Sequence, residues 1–239
     1  MQKYSKIQTI YKRDNNFKVI PSIREDDTIL AMSYLMNIRV EEKIDGTNAQ
    51  MELIFHPSTH KEPEILFHSR SNLIKDKDIM FIRETLTKIV DFKTLKEWYY
   101  KNYCLDKEGN LREGVTSIRI YGEVFGDKIQ KNSYTPKNIR DFRVFDIQIG
   151  NSWLSPIQRD ILCKELKLNP VPTVTTLIQF PPYEAIYDML HRTYNKSITA
   201  QEYGKDSELE GYILRPQITL YTNKGRVIGK IKKKDFPHE

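Results

Sequence analysis

Alternation of apolar and polar positions predicts eight strands along this chain: Ile38–Glu42, Ala49–Phe55, Glu64–Arg70, Ser117–Phe125, Phe142–Ile149, Val171–Ile178, Leu209–Pro216 and Val227–Lys232. Between Asp78 and Tyr103 the period changes. Ile79, Ile82, Leu86, Ile89 and Val90, then Phe92, Leu95, Trp98 and Tyr99, recur at three- and four-residue spacing, which predicts one or two amphipathic helices. Ser155-Pro156 opens a further helix, a cap followed by proline in the first turn, running to about Leu166, and another is expected from Tyr183 to about Tyr194. Residues 1–37 have weak periodicity and no assignable chemistry. No repeat, low-complexity linker or sharp shift in composition divides the chain, so the expectation is one compact α+β domain over residues 1–239.

Several charged residues interrupt this pattern where an unpaired charge is costly. Lys43 stands where the first predicted strand meets the loop Asp45-Gly46-Thr47-Asn48, whose glycine allows backbone to approach a ligand. A lysine amine is protonated at neutral pH, so a nucleophilic Lys43 would need helpers elsewhere in the chain. Glu123 and Asp146 lie in or at the end of apolar runs and need a strand arginine such as Arg119 or Arg143, a metal, or a functional explanation. Glu210 leads a strand that Arg215 closes. Lys230 and Lys232 alternate inside an apolar strand, which points both ammonium groups to one face. Trp98, Tyr99, Tyr100 and Tyr103 read as core, with base stacking as the competing role.

Composition narrows this picture only a little. Charged residues are 29% and hydrophobic residues 39% of the 239, which is a globular balance with ample material for a core. Thirty-eight basic against 32 acidic residues leave a net charge of +6, compatible with nucleic acid without requiring it. No run approaches the roughly 18 apolar residues of a membrane span, and residues 1–20 lack the apolar stretch of a signal peptide. Cys104 and Cys163 offer neither metal spacing nor a disulfide framework, which fits a cytoplasmic protein, of a cell or of a phage or virus acting in its host. The five histidines are scattered, with no zinc pattern.

Taken in order, Lys43-Ile44-Asp45-Gly46, Ser69-Arg70, Tyr121-Gly122-Glu123, Phe145-Asp146, Glu210-Gly211 and Lys230-Ile231-Lys232 resemble the successive motifs of the covalent nucleotidyltransferase superfamily of ATP-dependent ligases and mRNA capping enzymes. One Lys-x-Asp-Gly is weak, but six matches in order from Lys43 to Lys232 are specific. Thr47-Asn48 after the glycine, in place of the arginine typical of DNA ligases and capping enzymes, is similar to nick-sealing RNA ligases of the phage RNA ligase 2 and RNA-editing type. The segments Gly122-Glu123 to Asn132 and Val144 to Ile147 resemble the same subgroup. Two departures stand out: those relatives often have histidine at the position of Asp45, and they continue into a further RNA-engaging domain, whereas seven residues follow Lys232 here.

The resemblance implies an α+β nucleotidyltransferase (ATP-grasp-like) domain of antiparallel sheets flanked by helices, with no C-terminal accessory domain. It implies ATP as co-substrate, Mg²⁺ or Mn²⁺, and RNA with 5′-phosphate and 3′-hydroxyl ends; a protein partner or self-association would replace the further domain. Lys43 would form lysyl-AMP, transfer AMP to an RNA 5′-phosphate, and leave AMP to be displaced by a 3′-hydroxyl. Lys230 and Lys232 would release the free amine and neutralise the α-phosphate. Glu123 and Glu210 would serve ribose or metal, without a single role for either. Phe145 would stack on adenine, Asp146 would assist metal or joining, and Arg70 would hold a phosphate. Glu42 would join the ATP contacts, and Asn48 would hold ribose or the RNA 3′ end, with Asp45 and Gln130 as further RNA contacts. The alternatives are a DNA ligase, a capping guanylyltransferase, and a non-catalytic protein that binds RNA ends.

Overall fold

A computed structural model describes residues 4–56, 62–70, 72–74, 78, 81–110, 116–130 and 134–236. Its contacts divide the chain into two compact units. The first comprises Gly46–Gln130 and Asn138–Pro170 together with Tyr4. The second comprises Ser5–Asp45, Lys131–Lys137 and Val171–Glu239. The elements in chain order are β1 (Gln8–Thr9), β2 (Tyr11–Arg13), β3 (Val19–Ile23), α1 (Asp27–Ser33), β4 (Met36–Lys43), β5 (Thr47–Phe55), β6 (Glu64–Ser69), α2 (Ile82–Ile89), α3 (Phe92–Tyr99), β7 (Thr116–Gly126), β8 (Arg140–Ile149), β9 (Ser152–Trp153), α4 (Pro156–Glu165), β10 (Thr173–Gln179), α5 (Tyr183–Asp188), α6 (Ile198–Gln201), β11 (Gly211–Pro216), β12 (Tyr221–Thr222), β13 (Gly225–Arg226) and β14 (Gly229–Lys232). All eight predicted strands are present, and antiparallel sheets with flanking helices are the architecture expected of a nucleotidyltransferase.

The first unit is built on an antiparallel sheet of order β6-β5-β7-β8-β9. The period of two in β5 and β7 sorts its faces. Ala49, Met51 and Leu53 pair with Gly122, Ile120 and Ile118 on an apolar face. These join Leu86, Leu95, Tyr99 and Leu162 from α2, α3 and α4 in one core. The helical stretch 78–103 resolves into α2 and α3 because Val90 is extended and Asp91 caps α3, its carboxylate accepting from the Thr94 N–H at 3.1 Å. Ile79, within that predicted stretch, lies outside the described residues, as does the Lys131-Asn132 part of the subgroup match. The helix α4 begins as expected, with Ser155 and Gln158 forming a reciprocal capping box.

The second unit has a sheet of order β1-β14-β11-β4-β10. All its pairs are antiparallel except β1 with β14. Its core gathers Ile38 and Val40 from β4, Tyr212 and Leu214 from β11, and Ile231 from β14, together with Ile29, Met32, Ile186 and Leu190. Residues 1–37 contain β1, β2, β3 and α1, which the sequence left unassigned. Strands of two and three residues are too short for alternation to register, and β3, Val-Ile-Pro-Ser-Ile, does not alternate. β1 is nevertheless well placed, since it sets Thr9 beside Lys230.

Glu42 is the principal polar member of this second core. It is 2% exposed, and its carboxylate accepts from Ser197 Oγ at 2.5 Å, the Thr199 N–H at 2.9 Å and Thr199 Oγ1 at 2.9 Å, fixing the start of α6. Removing it leaves three donors facing a cavity. Glu42→Ala is expected to lower unfolding free energy by about 3 kcal/mol, measured by urea denaturation. An unchanged midpoint at unchanged slope would contradict this role.

Candidate active site

In the second unit one register places the chemistry. Gly211 on β11 pairs with Lys43 on β4 and also with Lys232 on β14, so the three residues form a row across the sheet. Directly paired residues share a face, which sends both lysines the same way. The glycine permits the row. A Cβ at position 211 would lie 2.0 Å from the Ile231 carbonyl oxygen and 2.8 Å from the Lys232 Cα, so any side chain would force β11 and β14 apart. Glu210, just before the row, closes it: one carboxylate oxygen accepts from Lys43 Nζ and the other from Lys232 Nζ, the latter at 2.5 Å. Lys230 stands two residues before Lys232 on the same face of β14, as the alternation predicts.

The electrostatics follow from this bridge. Burial alone pushes the Glu210 carboxyl up, but the charges and hydrogen bonds of Lys43 and Lys232 more than reverse that, holding it below the usual carboxylate value. Asp45 experiences the opposite balance. Burial and the neighbouring Glu210 carboxylate raise its carboxyl, and Lys43, Lys232 and Lys234 offset this only in part. A pair of acids driven apart in this way is characteristic of a functional site. Tyr134 belongs to the same surroundings and was not anticipated from sequence. It is 1% exposed, and burial together with the charges of Glu42, Asp45 and Glu210 raises its hydroxyl. Glu42, adjacent to Lys43, necessarily points to the opposite face, where its carboxylate is held by Ser197 and Thr199.

The first unit collects the remaining candidates on the polar face of its sheet. Asn48 pairs with Glu123, which pairs in turn with Arg143. Two residues along, Gln50 pairs with Tyr121, and Tyr121 with Asp146. The register between β7 and β8 slips between Tyr121 and Gly122, because Asp146 and Val144 take consecutive partners. Phe145 is therefore the extra residue of a bulge, which re-aims its ring. Arg119 does not serve Glu123 or Asp146; it pairs with Glu52 at 2.6 Å. The Asp146 carboxylate accepts from the hydroxyl of Tyr4, whose ring packs against Phe145 at 5.0 Å and Tyr121 at 5.2 Å. Tyr4 lies in the segment given no chemistry, and nothing local in the sequence marks it. Arg70 is exposed, one step beyond the Ala49–Ser69 pair in the direction of Asn48. Gln130 donates to the Gly46 carbonyl at 3.0 Å, so its side-chain amide fixes the loop after Lys43.

Among the described residues no cluster of three or more His, Cys, Asp or Glu side chains could cage a metal ion. That does not conflict with Mg²⁺ or Mn²⁺ arriving on a triphosphate, which takes one or two carboxylates and completes its shell with phosphate and water. Glu210, partly accessible with 16% side-chain exposure, has the chemistry for such a contact within the second unit. Among the described residues no helix is long and apolar enough to cross a membrane.

The RNA ligase family profile matches residues 36–232. The chain belongs to that family. No curated protein matches it by sequence. Solved structures of Naegleria gruberi RNA ligase share its fold. A variant with ATP and Mn aligns with TM-score 0.61 and 17% identity over 97% of this chain and 56% of its own length. The enzyme with pyrophosphate aligns at 0.59 and 17% over 97% and 62%. A variant with AMP and Mn aligns at 0.59 and 16% over 95% and 59%. This RNA ligase family chain thus spans less than two thirds of the length of those relatives.

The Glu210 bridge makes a pH prediction. Its folded pKa is depressed, so its stabilisation is complete above the unfolded value of about 4.3 and disappears as pH falls through the lower folded value. Between pH 5 and pH 3, wild-type stability should therefore fall more steeply than that of Glu210→Gln, as read by thermal melts. Parallel curves would show that the bridge contributes no linkage.

Proposed function

We propose that this chain is the adenylyltransferase part of an ATP-dependent RNA ligase, working as one adenylation domain. The observation that carries the reading is the row Lys43–Gly211–Lys232 closed by Glu210, in a chain whose family profile spans the row. The neighbouring structures with ATP, AMP, pyrophosphate and Mn support the same nucleotide chemistry.

In this reading Lys43 Nζ attacks the α-phosphorus of ATP. A nitrogen–phosphorus bond forms, the bond from the α-phosphorus to the bridging oxygen breaks, and pyrophosphate leaves with the electron pair. Glu210 holds the Lys43 ammonium before the reaction; that ammonium first gives a proton to solvent, favoured by the positive charge of Lys230, Lys232 and the metal, and the free amine then leaves this carboxylate to attack, shedding its second proton as the nitrogen–phosphorus bond forms. Lys232, on the same face, and Lys230 next to it neutralise the α-phosphate oxygens as charge shifts toward the leaving group. A divalent metal, held by Glu210 or Glu123 together with the phosphates, would supply Lewis-acid neutralisation. Phe145 presents a flat face for adenine, Asp146 and the Tyr4 hydroxyl fix that ring's surroundings, and Arg70 and Asn48 serve phosphate and ribose or the RNA 3′ end. Glu42 contributes to ATP binding through its backbone only, because its carboxylate is engaged elsewhere. Asp45 and Gln130 act on RNA through the loop they shape. AMP then passes from Lys43 to an RNA 5′-phosphate, and attack by a 3′-hydroxyl releases it. The cytoplasm, with its ATP and RNA, is the compartment this activity requires.

Incubation with α-labelled ATP or GTP and Mg²⁺ or Mn²⁺ tests the proposal. ATP alone should give an acid-stable protein adduct, absent in Lys43→Ala and slowed about 10²- to 10³-fold in Lys232→Ala, as for loss of a charged transition-state contact. An adduct with GTP alone would indicate capping, and none with either nucleotide would exclude nucleotidyl transfer. A chase with nicked RNA, nicked DNA and single-stranded RNA should seal RNA; preferential sealing of nicked DNA would overturn the RNA assignment.

A further inference from the structure

Within the first unit, away from the polar sheet face, a cavity of about 610 Å³ opens beside α3. That volume suits a nucleotide-sized group. Lys93 and Lys96, three apart on α3, and Tyr100 and Lys101 in the turn that follows it all line the cavity. Immediately after α3 the chain makes a π-helical turn, Tyr100–Cys104, a feature concentrated at functional sites. Phe55, Pro63 and Leu105 give the cavity its apolar lining, and Glu62 and Glu97 line it as well.

The four aromatic residues that could be either core or a stacking platform separate here. Tyr99 is 1% exposed and stacks on Phe55 at 4.3 Å and on Tyr103 at 5.1 Å, and the Trp98 indole N–H donates to Glu165 at 2.7 Å. Those three have structural partners. Tyr100 is different: it is 40% exposed and borders the cavity. The surrounding cations are accessible as well. Lys96 contacts Glu62 at 2.7 Å and Lys93 contacts Glu97 at 4.0 Å, and all but Lys96 in these pairs are well exposed. Surface pairs of this kind are weak and exchange readily for another anion. No carboxylate within 4.0 Å of Lys101 is found among the described residues.

We propose that this cavity docks a single-stranded segment of the RNA substrate, with one base against the Tyr100 ring and the apolar lining and the flanking phosphates on Lys93, Lys96 and Lys101. An exposed aromatic face bordered by three lysines, two of them only in displaceable surface pairs with Glu62 and Glu97, is chemistry that binds single strands without sequence preference. The identity of the strand rests on the ligase reading above. The site itself lies outside the residues assigned to adenylation.

The test compares wild type, the triple variant Lys93→Ala/Lys96→Ala/Lys101→Ala, Tyr100→Leu and Tyr100→Phe. It reads binding of 5′-phosphorylated single-stranded RNA across a salt series, and lysyl-AMP formation from ATP. The triple variant should lose at least about tenfold in affinity at low salt and flatten the logarithmic salt slope by about 2, at roughly 0.7 per phosphate contact. Tyr100→Leu should lose about five- to 100-fold, and Tyr100→Phe should bind as wild type. Circular dichroism should be unchanged throughout, and adenylation rates should stay within twofold. RNA affinity and salt slope within twofold of wild type in both the triple variant and Tyr100→Leu would overturn the proposal. So would failure of wild type to bind RNA, or a site whose loss abolishes binding of an acidic peptide while sparing RNA. Normal RNA behaviour of the variants combined with no adduct in wild type would instead remove the ligase reading and leave the docking site standing.

Discussion

A single carboxylate between two ammonium groups is the contact around which the charged face of the second unit is arranged. Glu210 bridges Lys43 and Lys232 across the row set by Gly211, and each part depends on the others. Without the glycine, the Ile231 carbonyl would collide with a side chain and β11 could not hold β14 in register. Without the carboxylate, two cations would share one sheet face with no charge between them, a repulsive arrangement in a partly desolvated setting. The bridge is also a resting state. In the proposed function the contact that holds Lys43 in place competes with its use as a nucleophile, so the proposed reaction requires something that draws Glu210 away or replaces it, and a metal-bound triphosphate has the charge to do so.

The two sheets follow one logic. Each buries an apolar face under helices, and each carries charged residues on its other face. In the second unit Arg39, Glu41 and Arg215 sit beside the lysine row at 8%, 1% and 4% exposure, with Arg39 and Glu41 in contact at 3.1 Å. In the first unit Glu52, His68 and Arg119 extend the line of Asn48, Glu123 and Asp146. Burial depresses the His68 imidazole, so it remains neutral among these charges. Charged groups at this depth are costly to keep, and sheets that retain them are shaped by chemistry more than by stability.

Much of this was legible in the sequence. Period-two alternation located the eight longer strands, and in β14 it also gave the common direction of Lys230 and Lys232. The ordered motifs gave the family. What escaped had a physical reason in each case. The strands β1 and β2 have only two and three residues, and the five of β3, Val-Ile-Pro-Ser-Ile, do not alternate. The engagement of Glu42 with Ser197 and Thr199 spans about 155 residues of chain and has no local signature. Asp146 reads as a buried acid in need of a partner, and nothing local in the sequence shows that one of its contacts is the hydroxyl of Tyr4 at the other end of the unit's sequence. Tyr100 could not be told from Tyr99 by spacing, because helix periodicity cannot show where a π-helical turn shifts the face.

The most direct test is to locate the nucleotide. After reaction with ATP and a divalent metal, proteolysis and peptide mass mapping should find a single AMP on the peptide containing Lys43, joined through Nζ. AMP on a different lysine, with Lys43 unmodified, would contradict the account of the Lys43–Glu210–Lys232 row as the centre of the chemistry.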